Sequence, residues 1–194
     1  SSRFAPLVAR AAREAIPLDG ALELTAGCNC SCGHCSVAER PAPVRADGVP
    51  TARLLRLLEE LAALGTLRLA LTGGELLLRR DWAEIAARAR QLGFALRLLT
   101  NASLVTEEAA RTIGSLGAAV DASLYSLDPA VFEGITGVPG SLRRTLDGVE
   151  RLRARGVEVR LKVPLLRGAL AGLAAVVADG ERVGAAGRPA PLLL

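Results

Sequence analysis

After an opening segment, the chain alternates between two hydrophobic rhythms. At 21–27 (ALELTAG), 67–74 (LRLALTGG), 95–102 (ALRLLTNA), 118–126 (AAVDASLYS) and 157–166 (VEVRLKVPLL), apolar residues recur at or near every second position, the period of a β-strand. Between these runs the period lengthens to that of an amphipathic helix, as in ARLLRLLEELAAL at 52–64 and LRRTLDGVERLRAR at 142–155. Start and stop signals fall where the rhythm changes. Thr51, Thr106 and Ser141 stand where N-caps are needed, Asp128-Pro129 opens a short helix, and Asp81 with Glu84 has the spacing of a capping box. Gly65, Gly93 and Gly156 close three helices. FAPLVARAAREAI at 4–16 predicts a short amphipathic helix ahead of the series. A further helix is expected near 169–179, and RPAPLLL at 188–194 is a candidate sixth strand. ERPAPVRADGVP at 39–50, rich in Pro and Gly, reads as a polar loop.

Strands and helices alternating at this spacing mean βαβ units and a parallel sheet. A closed eight-unit barrel takes about 250 residues; this chain has 194. The expected fold class is therefore α/β, with five or six units in an open, partial (β/α)6 TIM-like barrel or in a doubly wound sheet. In both, active sites gather at the C-terminal ends of the strands. The chemically distinctive residues stand at those ends. The cysteines follow strand one, Gly73-Gly74-Glu75 follows strand two, Thr100-Asn101 follows strand three, and Ser123 and Ser126 mark strand four.

Composition narrows the function classes. Apolar residues make up 51% of the chain and aromatics 3%, so the core is built from Leu, Val, Ile and Ala. The uncharged stretch 168–177 is far shorter than the roughly 20 residues of a membrane span, and no cationic-then-apolar leader opens the chain. A soluble, cytoplasmic protein with no membrane contact is expected. The net charge of +4 rests on arginine, since Lys162 is the only lysine. Acidic residues interleave with the arginines along the helices, which reads as solvated helix faces. The scarcity of aromatics argues against single-strand nucleic-acid binding, and a nucleic-acid partner is not expected.

All four cysteines lie in TAGCNCSCGHCSV, residues 25–37. Disulfides belong to oxidising compartments and close longer loops than these spacings allow. Structural zinc normally joins two separated cysteine pairs. An iron–sulfur cluster presents its irons at several corners, so thiolates a few residues apart on one loop can each reach a different iron. Cys28, Cys32 and Cys35 have C-x3-C-x2-C spacing, with Cys30 out of step.

LELTAGCNCSCGHCS resembles the cluster loop of the radical S-adenosylmethionine (radical SAM) superfamily. LTGGELLLRRDWAEI resembles that superfamily's glycine-glycine-glutamate segment, and LLTNASLVTEEAA its third strand and following helix. The run from Val120 to Arg167 is similar to its fourth and fifth units, so the resemblance extends from about residue 15 to about 175, in order. The ITGVPGS stretch and the leading helix look most like the branch with a C-terminal SPASM or twitch extension, which contains peptide-modifying maturases and the pyrroloquinoline quinone biosynthesis enzyme. By this resemblance, residues 1–20 are a helical lead-in and 21–194 the core domain, ending near the sixth strand with no SPASM domain.

The resemblance implies that Cys28, Cys32 and Cys35 hold three irons of a [4Fe–4S] cluster. S-adenosyl-L-methionine would bind the fourth iron and be cleaved reductively to a 5′-deoxyadenosyl radical. Gly73, Gly74, Glu75, His34, Asn101 and Ser123 become cofactor-site residues. The partners implied are a peptide or small-molecule substrate and a one-electron donor of the flavodoxin or ferredoxin kind. Several positions depart from the family pattern. Leu76 stands where proline is common, Ala102 where glycine follows the asparagine, Ser36 where an aromatic follows the last cysteine, and Cys30 where an apolar residue is usual. The alternative from another class is a truncated module that binds a cluster or zinc through the same cysteines without turnover.

Overall fold

A computed structural model describes residues 4–35, 48–166, 169–184 and 192–193. The main elements are α1 (Ala5–Arg13), β1 (Asp19–Glu23), α2 (Thr51–Ala63), β2 (Arg68–Thr72), α3 (Trp82–Gln91), β3 (Ala95–Thr100) and α4 (Glu107–Leu116). They continue as β4 (Ala119–Ser123), α5 (Pro129–Thr136), α6 (Ser141–Ala154), β5 (Val159–Lys162), α7 (Leu173–Gly184) and β6 (Leu192–Leu193). All strand pairs are parallel, and the strand order follows the chain order from β1 to β6. This is the open, partial (β/α) barrel expected from the alternation, not a doubly wound sheet, whose strand order would reverse. Of the loop expected at 39–50 only residues 48–50 are described, and of the sixth strand only Leu192 and Leu193, paired with Leu161 and Lys162 of β5.

Alternation decides the two faces of the sheet. Leu69, Leu71, Leu96, Leu98, Val120, Ala122, Val159 and Leu161 are all buried on one face. There they belong to one core with Leu54 and Leu58 of α2, Ile85 of α3, Ile113 of α4 and Leu152 of α6. Each such leucine or isoleucine, fully withdrawn from water, contributes roughly 1.5–3 kcal/mol before entropy is counted. The intervening residues, among them Arg97, Asp121, Ser123, Arg160 and Lys162, turn to the inner face of the partial barrel.

The helix starts separate local from tertiary signals. The Thr106 hydroxyl accepts from the Ala109 N–H, and the Asp128 carboxylate accepts from the Ala130 and Val131 N–H groups, so both cap as expected. Thr51 and Ser141 are instead the first helical residues, behind Pro50 and Gly140, with no side-chain cap. The Thr51 hydroxyl donates to Asp81, and the Ser141 hydroxyl pairs with that of Thr136 at 2.7 Å. Asp81 precedes α3 but caps nothing, because Arg79 and Thr51 occupy its carboxylate. β1 begins two residues before the predicted strand and ends at Glu23, where the chain turns toward the cysteines.

Candidate cofactor site

The cysteine segment leaves β1 at the C-terminal edge of the sheet and docks on the end of α5. Ser31 N–H donates to the Thr136 carbonyl at 2.8 Å and Gly33 N–H to that of Ile135 at 3.3 Å. The last carbonyls of a helix lack intrahelical partners, so α5 offers the loop ready-made acceptors. All four thiols are free of disulfides; Cys28 and Cys35 are exposed, Cys30 and Cys32 half-buried. The Cys30 thiol hydrogen-bonds both Cys28 and Cys32. Those contacts lower the Cys28 thiol to about 6 and, against burial, the Cys32 thiol to about 7. Both contacts, then burial, push Cys30 upward. Two thiolates within reach of neutral pH, on one loop, are a donor set that suits iron or zinc. Cys35 is tied to the same segment through its backbone, its N–H bonded to the Cys32 carbonyl at 3.1 Å. Among the described residues no three His, Cys, Asp or Glu side chains are gathered into a metal cage.

Gly73 and Gly74 owe their identity to the cysteine segment's root. A Cβ on Gly73 would lie 2.3 Å from the Thr25 carbonyl oxygen, and one on Gly74 equally close to that of Gly27. At φ +145° Gly73 is also in a conformation that disfavours any side chain. Removing both Cβ atoms lets Gly74 N–H reach the Thr25 carbonyl at 2.9 Å and Glu75 N–H that of Gly27 at 2.8 Å. The glycines thus serve a close approach of two backbone segments at the strand ends.

Glu75 is completely buried. Its carboxylate accepts from the Thr100 hydroxyl at 2.7 Å, the Asn101 N–H at 2.8 Å and the Leu77 N–H at 3.1 Å. Burial pushes its pKa up to about 7, with these three donors pulling the other way. It ties the end of β2 to the end of β3. Asn101 continues the connection, its side-chain Nδ2 donating to the Asn29 side chain at 2.8 Å and its side-chain Oδ1 accepting from the Ser103 hydroxyl at 2.6 Å. The Asn29 amide returns to Ser103 at 2.9 Å. Cys28, Cys30, Gly73, Gly74, Glu75 and Asn101 are therefore joined in one hydrogen-bonded region.

Ser123 and His34 meet it through a residue the sequence reading missed. Tyr125, 7% exposed, hydrogen-bonds Ser123 and Cys32 through its hydroxyl. Its ring stands edge-on to His34, centroids 5.0 Å apart, and burial raises its pKa. As the only tyrosine, two residues past Ser123, it carried a signal that could have been read. Arg79 was missed too. Only 2% exposed, it binds Asp81 bidentately and donates to the carbonyls of Leu24 at 2.9 Å and Val49 at 2.8 Å. It thereby holds the residues on either side of segment 25–48, which contains every cysteine.

A sequence profile of the Radical SAM superfamily matches residues 22–169. The AdoMet-dependent heme synthase of Methanosarcina barkeri is 36% identical over 134 residues, 69% of this chain and 38% of that protein. The PqqA peptide cyclase of Xanthomonas oryzae pv. oryzae is 34% identical over 152 residues, 78% of this chain and 41% of that protein. The chain thus spans well under half the length of these curated relatives. Among solved structures, SuiB of Streptococcus suis bound to S-adenosylmethionine is similar at a TM-score of 0.77 and 20% identity, covering 91% of this chain and 41% of that one. AnSMEcpe with bound AdoMet is similar at 0.63 and 16%, covering 76% and 43%. At these identities the likeness is one of fold.

Proposed function

Because the chain belongs to the radical SAM superfamily, we propose that it is the catalytic core of an enzyme that modifies a peptide. Residues 1–20 form the lead-in and 21–194 the core domain. Cys28, Cys32 and Cys35 hold a [4Fe–4S] cluster, and Cys30 is not a ligand. Gly73, Gly74, Glu75, Asn101, Ser123 and His34 line the S-adenosylmethionine site. A cluster held by Cys28, Cys32 and Cys35 would supply the one-electron reduction of S-adenosylmethionine from which hydrogen-atom abstraction from the substrate would follow. The protein's own part is to orient and to exclude water. Glu75 fixes the Asn101 backbone, Asn101 and Asn29 fix the cysteine segment, and Tyr125 braces Ser123, Cys32 and His34 against one another.

One observation carries this reading. Every one of these residues stands at the C-terminal edge of one parallel sheet, and hydrogen bonds link the cysteine segment directly to the ends of β2 and β3. The peptide class follows the relatives, the PqqA peptide cyclase and SuiB, the latter also solved bound to its precursor peptide SuiA. A flavodoxin- or ferredoxin-like donor would supply the electron. Thiolate-bound iron needs reduced thiols, which fits a cytoplasmic setting; among the described residues no helix is long and apolar enough to cross a membrane.

The test is electron paramagnetic resonance on anaerobically reconstituted, dithionite-reduced protein, with and without S-adenosylmethionine. A [4Fe–4S]+ signal that changes on adding S-adenosylmethionine is expected. Cys28→Ser, Cys32→Ser and Cys35→Ser should each lose it, and Cys30→Ser should keep it. No cluster after competent reconstitution, or zinc held in its place, would overturn the reading.

A further inference from the structure

On β3, β4 and β5 the inner face carries more cations than carboxylates among the described residues, whereas Arg68 of β2 is already paired with Asp19 of β1. Val159 and Leu161 are buried on the helix side, so Arg160 and Lys162 alternate to the inner side. By register Asp121 faces Arg160, and Ser123 faces Lys162. Asp121, 5% exposed, shares one carboxylate oxygen between two guanidinium groups, Arg97 Nη1 at 2.6 Å and Arg160 Nε at 3.2 Å. The Arg160 Nε is buried and has no well-aligned hydrogen bond. Glu158, 3.9 Å from each arginine, is mostly exposed and screened by water. Lys162, the only lysine among 24 basic residues, makes no ion pair with any described residue, though its charge acts on Asp121. On these three strands three half-buried cations therefore face two carboxylates, only one of them buried, an imbalance that partial burial makes unfavourable. The surplus of one charge matches a carboxylate better than a doubly charged phosphate. An open cavity of about 620 Å³ at the N-terminal ends of the strands, lined also by Asp19 and Arg68, reaches Arg97 and Arg160 from below and stops short of Lys162.

We propose that Arg160 and Lys162, held in place by Asp121 and Arg97, form a subsite for a carboxylate of the substrate. This rests on the radical SAM reading, since it is the strand rung of Ser123 and Lys162 that brings the anchored group near the cofactor end. Arg160 and Lys162 lie roughly 6.6 Å apart along β5. The anchored carboxylate therefore sits one or two strand residues below the level of Ser123, and the substrate is a peptide presenting an acidic side chain or its C-terminus.

The single lysine makes the test local. Reductive methylation with 13C-formaldehyde keeps the charge and gives one side-chain resonance, from Lys162, with the α-amino group as internal control. Anaerobically reconstituted protein is titrated with glutarate, glutaramide and inorganic phosphate at constant ionic strength. Glutarate should shift the Lys162 resonance saturably and leave the α-amino resonance unmoved, glutaramide should not shift it, and phosphate should bind more weakly. Arg160→Gln should weaken glutarate by about tenfold, as loss of one charge-assisted bond requires. No saturable shift, an equal shift with glutaramide, tighter binding of phosphate, or unchanged affinity in Arg160→Gln would overturn the subsite. A S-adenosylmethionine-dependent paramagnetic change without glutarate binding sinks the subsite alone. Glutarate binding without that change leaves an anion site and removes the radical reading.

Discussion

Replacing Gly74 by alanine tests whether the ends of β1 and β2 are locked backbone to backbone. The added Cβ would meet the Gly27 carbonyl oxygen at 2.3 Å, the Gly27 carbonyl carbon at 2.7 Å and the Ala26 oxygen at 2.9 Å. None of these atoms is the tip of a flexible side chain, so a whole segment must move. Moving it stretches two hydrogen bonds, Gly74 N–H to Thr25 at 2.9 Å and Glu75 N–H to Gly27 at 2.8 Å. Each contributes about 1 kcal/mol net, and more if its donor is left buried and unpaired. Forced repacking adds roughly 1–3 kcal/mol. The expected loss is about 3–5 kcal/mol, a large part of the 5–15 kcal/mol typical of a domain. Urea unfolding of the cluster-free chain measures it, with Gly134→Ala as the control. A Cβ on Gly134, inside α5, meets nothing within 4 Å. That variant should be neutral or up to about 1 kcal/mol more stable through helix propensity. If the two variants unfold at the same urea concentration with equal slopes, the close approach does not hold the site together.

Three other perturbations address neighbouring parts of the site. Burial pushes Glu75 from its ordinary 4.5 up to about 7, so the folded state keeps a proton the unfolded state has lost. Its contribution to stability is full below about 4.5 and declines as pH rises through about 7, and Glu75→Gln should flatten that slope in urea midpoints taken between pH 4.5 and 8; an unchanged slope would assign the dependence elsewhere. Arg79→Lys keeps the charge but cannot reach Asp81 bidentately and two carbonyls together. It should cost about 2–4 kcal/mol in the same unfolding assay and lower iron retention, and a loss under 1 kcal/mol would refute the clamp. Tyr125→Phe removes the hydroxyl that reaches Cys32. In reconstituted protein the cluster midpoint should move to a more negative potential, as loss of a hydrogen bond to a ligand sulfur dictates, and an unmoved potential would show that the bond does not reach a ligand.

What could be read from the sequence was what is encoded locally. Alternation at 67–74 and 95–102 placed strands because the pleat imposes the period, and Thr106 and Asp128 capped because their partners lie two or three residues away. Thr51, Asp81 and Ser141 carry the same local signals, yet Arg79 and Thr136 draw their side chains into tertiary contacts. The cysteine spacing and the paired glycines pointed to the site by resemblance, but the reason for the glycines lay in the approach of residues 25–27, which no local pattern announces. Asn29 and Ser103 were invisible for a related reason, being 74 residues apart in the chain and 2.9 Å apart in space. Arg79 was hidden by composition, one arginine in a chain that puts arginine on most helix faces.

Ala102 shows how a departure from the family pattern is accommodated. It is fully buried and adopts φ +60°, a conformation that costs a non-glycine residue roughly 1–2 kcal/mol. Such a cost persists only where the surroundings over-determine the backbone, and here they do. Asn101 N–H is held by Glu75 at 2.8 Å, the Asn101 carbonyl accepts from the Thr145 hydroxyl at 3.0 Å, and Ala102 N–H donates to the Thr100 hydroxyl at 3.0 Å. The Ala102 carbonyl oxygen lies only 2.0 Å from where a Cβ on Gly148 would be. A glycine inside α6 gives up about 1 kcal/mol of helix propensity, and that approach is the reason α6 carries one. The end of β3, which presents Asn101 to the cysteine segment, is thus fixed from β2 through Glu75 and from α6 through Thr145 and Gly148. Moving α6 would therefore displace the site as surely as changing Asn101 itself.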